Sequence, residues 1–186
     1  MALRKASAYS RRRVRPYTRK SKVKSKSYVK AVPPIKIVKY KMGNEKAYEE
    51  GKLPFVIELV SDIDVQIRDN AIEATRQFIN KKMDKSYAGQ YFFHIQIYPH
   101  HIQRENKMLT GAGSDRMQTG MQKSFGKTIG RAAIVKKGKT IFLIATSTQK
   151  ASQLVRRTLT VIKPKLPGTT KILSKNLAIS QIPLSP

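Results

Sequence analysis

Apolar and polar residues alternate along most of the chain after residue 34, and this pattern predicts strands. Alternation over four to eight residues is typical of a strand with one buried face, and a short continuous apolar run is consistent with a strand buried on both faces. In YFFHIQIYP, for example, Phe93, Ile95 and Ile97 share one face. The predicted strands are IKIVKY (35–40), PFVIELVS (54–61), YFFHIQIYP (91–99), RAAIV (131–135), TIFLIAT (140–146) and TTKIL (169–173).

Two other stretches carry apolar residues at every third or fourth position, which predicts helices. The first covers 65–83, and either Asp62 or Asp64 is expected to cap its start, a better account of these two carboxylates than acid–base catalysis. The second covers 148–162 and ends before Pro164. The apolar stripes are Ile67, Ala71, Ala74, Phe78 and Ile79 in the first helix, and Ala151, Leu154, Val155, Leu159 and Ile162 in the second.

The order of these elements predicts an α+β sandwich, with one mostly antiparallel sheet and two helices packed against it. Lys137-Gly138 predicts a β-hairpin between the strands at 131–135 and 140–146, and Gly43-Asn44 predicts a turn. Pro33-Pro34 forces extended backbone before the first strand. We therefore expect a basic extended arm (1–34), a globular domain (35–175) with a long loop (100–130), and a C-terminal tail (176–186).

The charge of the chain points to a polyanionic partner. Lys and Arg number 38 against 11 Asp and Glu, a formal net charge of +27. All the acids lie within residues 42–115, and the segments on either side are basic only. Neutralising phosphates releases condensed counterions, so nucleic acid is the favoured partner. An acidic membrane surface is less favoured because no amphipathic helix accompanies the charge, and no apolar run approaches the ~20 residues that span a bilayer.

The first 34 residues contain too few large apolar side chains to form a core of their own. Tyr9, Tyr17 and Tyr28 stand among the arginines and lysines, where a flat ring can stack on an unpaired base. A solvated tail, an import signal or a transit peptide would share this composition. The second basic block, inside the folded region, favours the RNA-binding interpretation.

The run TGAGSDRMQTGMQKSFGKT (110–128) ends like a phosphate-binding loop, but its spacing excludes one. A Walker loop needs glycine five positions before Gly126, where Met121 stands, and a dinucleotide fingerprint starting at Gly111 would need glycine or alanine at Arg116. The chain has no cysteine, and the adjacent His100 and His101 lack the spacing of a helical zinc pair. We expect no catalytic site, no cofactor and no metal.

The loop from 100 to 130 is longer than most connections in compact domains, and such loops are usually functional or disordered. Its glycines let backbone amides approach phosphates, and its methionines adapt to irregular surfaces. Five basic residues lie in it: Arg104, Lys107, Arg116, Lys123 and Lys127. The composition favours an RNA-facing loop, although an ordinary mobile loop remains the alternative.

The run PHHIQRENKMLTGAGSDRMQTGMQKSFGKTIGRAAIV (99–135) closely resembles a large-subunit ribosomal protein family, called L-sixteen in bacteria and L-ten-e in archaea and eukaryotes. RPYTR (15–19), SYVKAVPPIKI with the following MGN (27–44), NAIEATRQFIN (70–80) and the segment ending in KLPG (148–168) are similar to the same family. The resemblance covers nearly the whole chain. Ser114 and Thr128 depart from the alanine and proline usual there, and the lack of a long C-terminal extension favours an archaeal-type member.

The resemblance implies an α/β-hammerhead fold and a cytoplasmic, ribosome-bound protein. Its partners would be large-subunit rRNA, A-site and P-site tRNA near the peptidyl-transferase centre, and neighbouring ribosomal proteins. Peptide-bond formation would remain RNA chemistry. The residues implied to bind rRNA are Arg4, Arg11, Arg12, Arg13, Arg15, Tyr17, Arg19, Lys20, Lys22, Lys24, Lys26, Lys123, Lys127 and Arg131. The residues implied to face tRNA are Arg104, Asn106, Lys107, Met108, Gly111, Gly113, Asp115 and Arg116.

A second hypothesis follows from the charge alone, without the resemblance. A protein that packages nucleic acid without regard to sequence would also carry a large excess of basic residues. Co-sedimentation with DNA rather than with large ribosomal subunits would distinguish this hypothesis from the first.

Overall fold

The computed structural model describes residues 5–10, 17–18, 20, 23, 29, 31–105, 111–113 and 126–176. The elements, in chain order, are β1 (Lys41–Gly43), α1 (Glu45–Glu49), β2 (Phe55–Ser61), β3 (Val65–Arg68), α2 (Asp69–Tyr87), β4 (Tyr91–Ile95), β5 (His101–Glu105), β6 (Lys127–Val135), β7 (Thr140–Thr146), α3 (Gln149–Ile162), a 3-10 turn (Lys163–Lys165) and β8 (Thr170–Asn176).

The strands form two antiparallel sheets. The larger sheet has five strands in the order β1-β4-β7-β2-β8, and the smaller has three in the order β3-β6-β5. The predicted α+β class, mostly antiparallel with two long helices, is confirmed. The expectation of a single sheet is wrong, because the strands are divided between two.

The predicted hairpin at Lys137-Gly138 is a turn between strands of different sheets. Lys139 N donates to Lys136 O at 3.1 Å, but β6 pairs with β3 and β5, whereas β7 pairs with β2 and β4. The turn is also held by β2, since Gly138 N donates to Ser61 O at 2.8 Å. Residues 141–146 of β7 are buried, which suits the centre of the larger sheet.

The start of the first long helix differs from its prediction. Residues 65–68 form β3, and Ile67 pairs with Ala133 instead of facing a helical neighbour. Neither predicted cap acts as one: Asp62 forms an ion pair with Lys171 at 2.8 Å, and Asp64 accepts from Lys137 N at 2.8 Å. Helix α2 begins at Asp69, after a residue that makes no side-chain capping hydrogen bond.

The strand predicted at 35–40 is extended chain that precedes the assigned strand. Ile37 is buried in the core, and Tyr40 O accepts from Ile95 N at 2.9 Å. The first strand, β1, nevertheless begins only at Lys41. Beyond the predicted turn, Asn44 caps the short helix α1, its Oδ1 accepting from Ala47 N at 3.0 Å. The sequence pattern gave no indication of α1.

The second long helix agrees with its prediction. Thr148 caps α3, since its Oγ1 accepts from Ala151 N at 3.3 Å, and Arg156 and Arg157 are exposed. Of the predicted stripe, four members are buried and Leu154 packs partly buried against the same core. Helices α2 and α3 contact each other beside the larger sheet.

The main core lies between the sheets and the two long helices, with Phe93 and Phe142 meeting edge to face at 5.5 Å between ring centres. Alternate residues of the same strands face the other side of the larger sheet. There Phe92 and Leu143 form a smaller cluster with Ala47 of α1. The larger sheet is therefore covered on both faces.

Gly43 offers a test of this packing. Its φ is +84°, and a Cβ added to it would lie 2.2 Å from Tyr91 O. Gly138 has a similar φ of +81° but open space around it. A left-handed backbone costs a non-glycine residue about 1–2 kcal/mol. We expect Gly138→Ala to lose about that much unfolding free energy in urea titrations, and Gly43→Ala to lose clearly more. Equal losses would contradict the close packing of β1 on β4.

Candidate nucleic-acid interface

The basic arm is fixed to both edges of the three-stranded sheet. At one edge, Gln66 N of β3 donates to Ser10 O at 3.0 Å, and at the other, Ile102 N of β5 donates to Tyr17 O at 3.1 Å. Both donors point away from the central strand β6. Edge strands otherwise present unpaired backbone groups to solvent or to other chains. The arm therefore supplies hydrogen-bond partners to both edges.

Tyr17 makes the most extensive of these arm contacts. Its backbone N donates to His101 Nδ1 at 3.0 Å, and its ring stacks on the His101 ring with 6.1 Å between centres. The guanidinium carbon of Arg104 lies 5.1 Å from the centre of the Tyr17 ring, a cation–π distance. Tyr17, expected to bind rRNA, thus also joins the arm to β5.

His101 is neutral in this arrangement. Burial lowers the pKa of its imidazole below the ordinary value of 6.5. Because Nδ1 accepts the hydrogen bond from Tyr17, the neutral ring carries its proton on Nε2. Protonation of Nδ1 would place two donors against each other and break the contact.

Two arginines of the smaller sheet bind backbone carbonyls of the arm. Arg131 Nε, on β6, donates to Pro33 O at 2.7 Å, and Arg68 Nη2, at the end of β3, donates to Lys5 O at 2.9 Å. Lys20 lies near Arg131: partial burial lowers its pKa, and the positive charge of Arg131 adds to the effect. Two like charges held near each other form a site that an anion would stabilise.

Carboxylates of α2 hold the chain that follows the arm. Asp69 Oδ2 accepts from Lys36 N at 3.2 Å, and Glu73 Oε2 accepts from Val38 N at 3.3 Å. Burial raises the pKa of Asp69, while these hydrogen bonds and nearby cations oppose the rise. Burial also opposes ionisation of Glu73, but hydrogen bonds, chiefly from Arg76 at 2.6 and 2.8 Å, lower its pKa overall. These carboxylates serve structure.

The region expected to be a loop at 100–130 is partly strand. β5 and β6 pair antiparallel from His101 with Ala132 to Glu105 with Lys127, and a register irregularity falls between Gln103 and Arg104. The connection between the two strands therefore covers 106–126, which is shorter than predicted. The polar residues His101, Gln103 and Glu105 are buried, which explains why alternation in the sequence did not reveal β5.

The described residues include seven of the predicted contact residues. Arg104 is half-buried in β5, Arg131 is half-buried in β6, and Tyr17 lies beside β5; Lys20, Lys127, Gly111 and Gly113 are exposed. The other predicted contact residues lie outside the described residues: Arg4, Arg11, Arg12, Arg13, Arg15, Arg19, Lys22, Lys24, Lys26, Asn106, Lys107, Met108, Asp115, Arg116 and Lys123.

The sequence reasoning did not select an aromatic cluster beside β5. The Tyr40 and Tyr98 rings stack with 5.5 Å between centres, and the His100 ring lies 4.4 Å from that of Tyr98. Tyr98 is 42% exposed and His100 is also exposed. The run Tyr98-Pro99-His100 could have indicated this cluster, because it places one ring on each side of a proline.

The described residues show no metal-binding cluster of three or more His, Cys, Asp or Glu. In the same part of the chain, no helix has the length and apolar character needed to cross a membrane.

Comparison with known proteins identifies the family. A sequence profile described as Ribosomal protein L16p/L10e matches residues 13–173. This chain belongs to that family. A protein of Methanococcus maripaludis strain S2, named large ribosomal subunit protein uL16, is 44% identical over 178 residues, covering 93% of this chain and 94% of the relative. The protein of the same name from Staphylothermus marinus is 39% identical over 181 residues, covering 95% and 96%.

Membership in the L16p/L10e family confirms the resemblance found in the sequence, and these relatives are archaeal, as expected for this type of member. The family consists of structural ribosomal proteins and is not enzymatic, which confirms the prediction that the chain is not an enzyme. The acids and histidines described above therefore need no catalytic role.

The His101 contact generates a pH prediction. Because the pKa of folded His101 lies below 6.5, its contribution to arm docking is complete above that pH and is lost as the pH falls through the lowered value. We expect the hydrogen-exchange protection factor of the Tyr17 amide to fall on acidification from pH 7.5 to about 5.

His101→Gln keeps a side-chain acceptor that does not titrate. The protection factor of the Tyr17 amide in this variant should therefore depend less on pH. His94→Gln is the matched control, since the pKa of His94 is also lowered, by burial and then by Lys41, but His94 lies in the other sheet. Protection that is independent of pH in the unmodified chain would show that His101 does not control the contact.

Proposed function

We propose that this protein is a structural component of the large ribosomal subunit in the cytoplasm, that it binds large-subunit rRNA, and that it helps to position A-site and P-site tRNA near the peptidyl-transferase centre. Its relatives carry the name of a large-subunit protein. The arm and the cations of β6 bind rRNA, and the connection between β5 and β6 faces tRNA. Neighbouring large-subunit proteins are the remaining partners.

The observation that carries this proposal is that one small sheet anchors both RNA-directed segments. The arm is bound at the outer edges of β3 and β5, and the 106–126 connection leaves and re-enters the same sheet through β5 and β6. Because the phosphate-binding arm and the connecting loop are attached to the same sheet, their positions relative to each other are fixed. Such a support suits a protein that must be seated on one RNA while it contacts another.

The electrostatics of the described residues support the rRNA contact. Lys20 and Arg131 lie close enough for the charge of one to lower the pKa of the other, and Lys127 is exposed at the beginning of β6. A phosphate between or beside these cations would relieve their repulsion and release counterions. Phosphate contacts of this kind fix the position of a protein on RNA without reading sequence.

The connection between β5 and β6 has a firm base for a tRNA contact. Glu105 and Lys127 face each other at the end of the ladder, so both ends of the connection are fixed. Within it, Gly111 and Gly113 are exposed and have φ values of +141° and +76°. Glycine permits such backbone and lets amides approach a phosphate closely.

Removing two exposed cations tests the rRNA contact. Lys20→Gln together with Lys127→Gln should weaken binding of the full chain to large-subunit rRNA. Each lost phosphate contact reduces the slope of log affinity against log salt by about 0.7–0.9, so the double variant should lose roughly 1.5. Binding titrations over a range of salt concentrations measure this slope.

Lys46→Gln with Lys52→Gln is the matched control, because these exposed lysines lie in or near α1 among Glu45, Glu49 and Glu50. The control should leave the salt slope unchanged. Equal changes in both double variants would mean that general charge alone binds the RNA, and the proposed rRNA contact would be wrong.

Replacing the connection tests the tRNA contact separately. Because Glu105 and Lys127 are direct partners, a two-residue Asn-Gly turn can replace residues 106–126 and keep the β5–β6 ladder. We expect the shortened protein to join large subunits at normal occupancy, while the subunits that carry it bind A-site tRNA more weakly and form peptide bonds more slowly.

A second variant, in which a Gly-Ser linker of equal length replaces residues 106–126, controls for chain length. It should show the same defects as the short turn if the side chains of the connection contact tRNA. Normal tRNA binding and peptide-bond formation with both variants would refute the tRNA role and leave the rRNA contact standing.

A further inference from the structure

The Tyr40, Tyr98 and His100 rings form an exposed aromatic site that neither the arm nor the 106–126 connection supplies. Tyr40 is half-buried at the inner end, Tyr98 follows at 5.5 Å between ring centres, and His100 follows at 4.4 Å. The two outer rings are exposed. Large rings that a fold leaves in solvent next to each other mark a binding surface more often than scattered apolar residues do.

The geometry of the outer rings is fixed before any partner binds. Pro99 between them is buried, and His100 N donates to Tyr98 O at 3.0 Å, which closes a tight turn. Stacking on Tyr40 restrains Tyr98 further. Rings held in place in this way lose little conformational entropy when a ligand binds, so more of the stacking energy contributes to affinity.

The guanidinium of Arg131 and the carboxylate of Asp69 both act on the innermost ring, Tyr40. Arg131 lies near enough to Tyr40 for its charge to act on the phenol, and Lys36 and Arg131 both act on Asp69. Asp69 is buried, and its carboxylate oxygens accept hydrogen bonds from the backbone N–H groups of Lys36 and Asn70. Burial, together with the charge that Tyr98 would carry on ionisation, raises the pKa of Tyr40 to about 12, so the phenol stays neutral. Flat rings beside fixed cations suit a nucleotide, whose base stacks while its phosphate is neutralised.

We propose that Tyr98 and His100 form a stacking site for an unpaired base of an RNA strand, with Arg131 near the adjoining phosphate. This inference rests on the proposed function and names a base contact beyond the arm and the connecting loop. The partner is a single-stranded or bulged nucleotide, since a paired base has no free face to offer.

The full-length chain is titrated at one salt concentration with two RNA probes of equal length. One is a single strand that carries the fluorescent base 2-aminopurine, and the other is a duplex. We expect Tyr98→Leu to bind the single strand about 5- to 150-fold more weakly, as the loss of one stacked base does. Duplex affinity should stay unchanged, and 2-aminopurine quenching should decrease.

Tyr98→Phe keeps the ring and should bind as the unmodified chain does. His100→Leu removes only the outermost ring and should give a smaller loss, which provides a second test if Tyr98→Leu disturbs Tyr40. Tyr48→Leu is the matched control: its ring also stacks on another ring, that of Phe92 at 4.9 Å, but in the smaller cluster beside the acids of α1. It should change neither affinity.

Single-strand affinities that are unchanged in both Tyr98→Leu and His100→Leu would overturn the stacking site. An equal loss for the duplex would do so too, since it would show a general effect on folding or charge. Loss of binding to a ribosomal protein with RNA binding intact would make the rings a protein contact and likewise overturn the proposal. In each case the salt-slope experiment with Lys20 and Lys127 still decides the proposed function independently.

Discussion

The three-stranded sheet depends on backbone hydrogen bonds from outside itself. It has one central strand, so β3 and β5 are both edges, and each donates a backbone N–H to the arm. The rest of the interface follows from this requirement. Residue 17 is held beside β5, and residue 10 is held beside β3. A segment that composition describes as a tail is, at these points, an integral part of a sheet.

Part of the hydrogen-bonding capacity of the arginines is used within the protein. Arg68 and Arg131 use guanidinium N–H groups on backbone carbonyls, and Arg76 is bound by Glu73. Such charge-assisted hydrogen bonds are among the stronger ones in proteins. The few acids of the chain are used in the same way, with Asp69 and Glu73 binding the backbone that leads into β1. The arginines that bind backbone carbonyls keep their positive charge and their remaining N–H donors, which can still bind a phosphate.

Local patterns predicted the elements whose packing is local. Helix α3 has a regular apolar stripe and a threonine cap, and both were visible in the sequence. The prediction for α2 began four residues too early because Ile67 also fits the helical spacing to Ala71. In the structure, Ile67 lies in β3 and pairs with Ala133 of β6. β5 was missed because its buried residues are mostly polar, and one of them, His101, has its partner in the arm. The division into two sheets depends on pairings between distant segments, which no short window contains.

The candidate site shows the same limit. The family motif selected Arg104, Lys127 and Arg131, and the structure places all three in β5 and β6. Their partners could not be predicted, since the contact of Tyr17 with His101 joins residues 84 positions apart and that of Arg131 with Pro33 joins residues 98 apart. The exposed ring pair of Tyr98 and His100 was hidden because alternation assigned Tyr98 to a strand that ends three residues earlier.

The docking of the arm also fixes an order of events during synthesis. The arm is made before the residues that hold it at β3, β5 and β6, and Arg131 is made last of these. Contacts between residues so far apart in sequence form slowly, because a long loop must close first. This basic segment is thus translated before the strands that hold it and is among the latest to be placed.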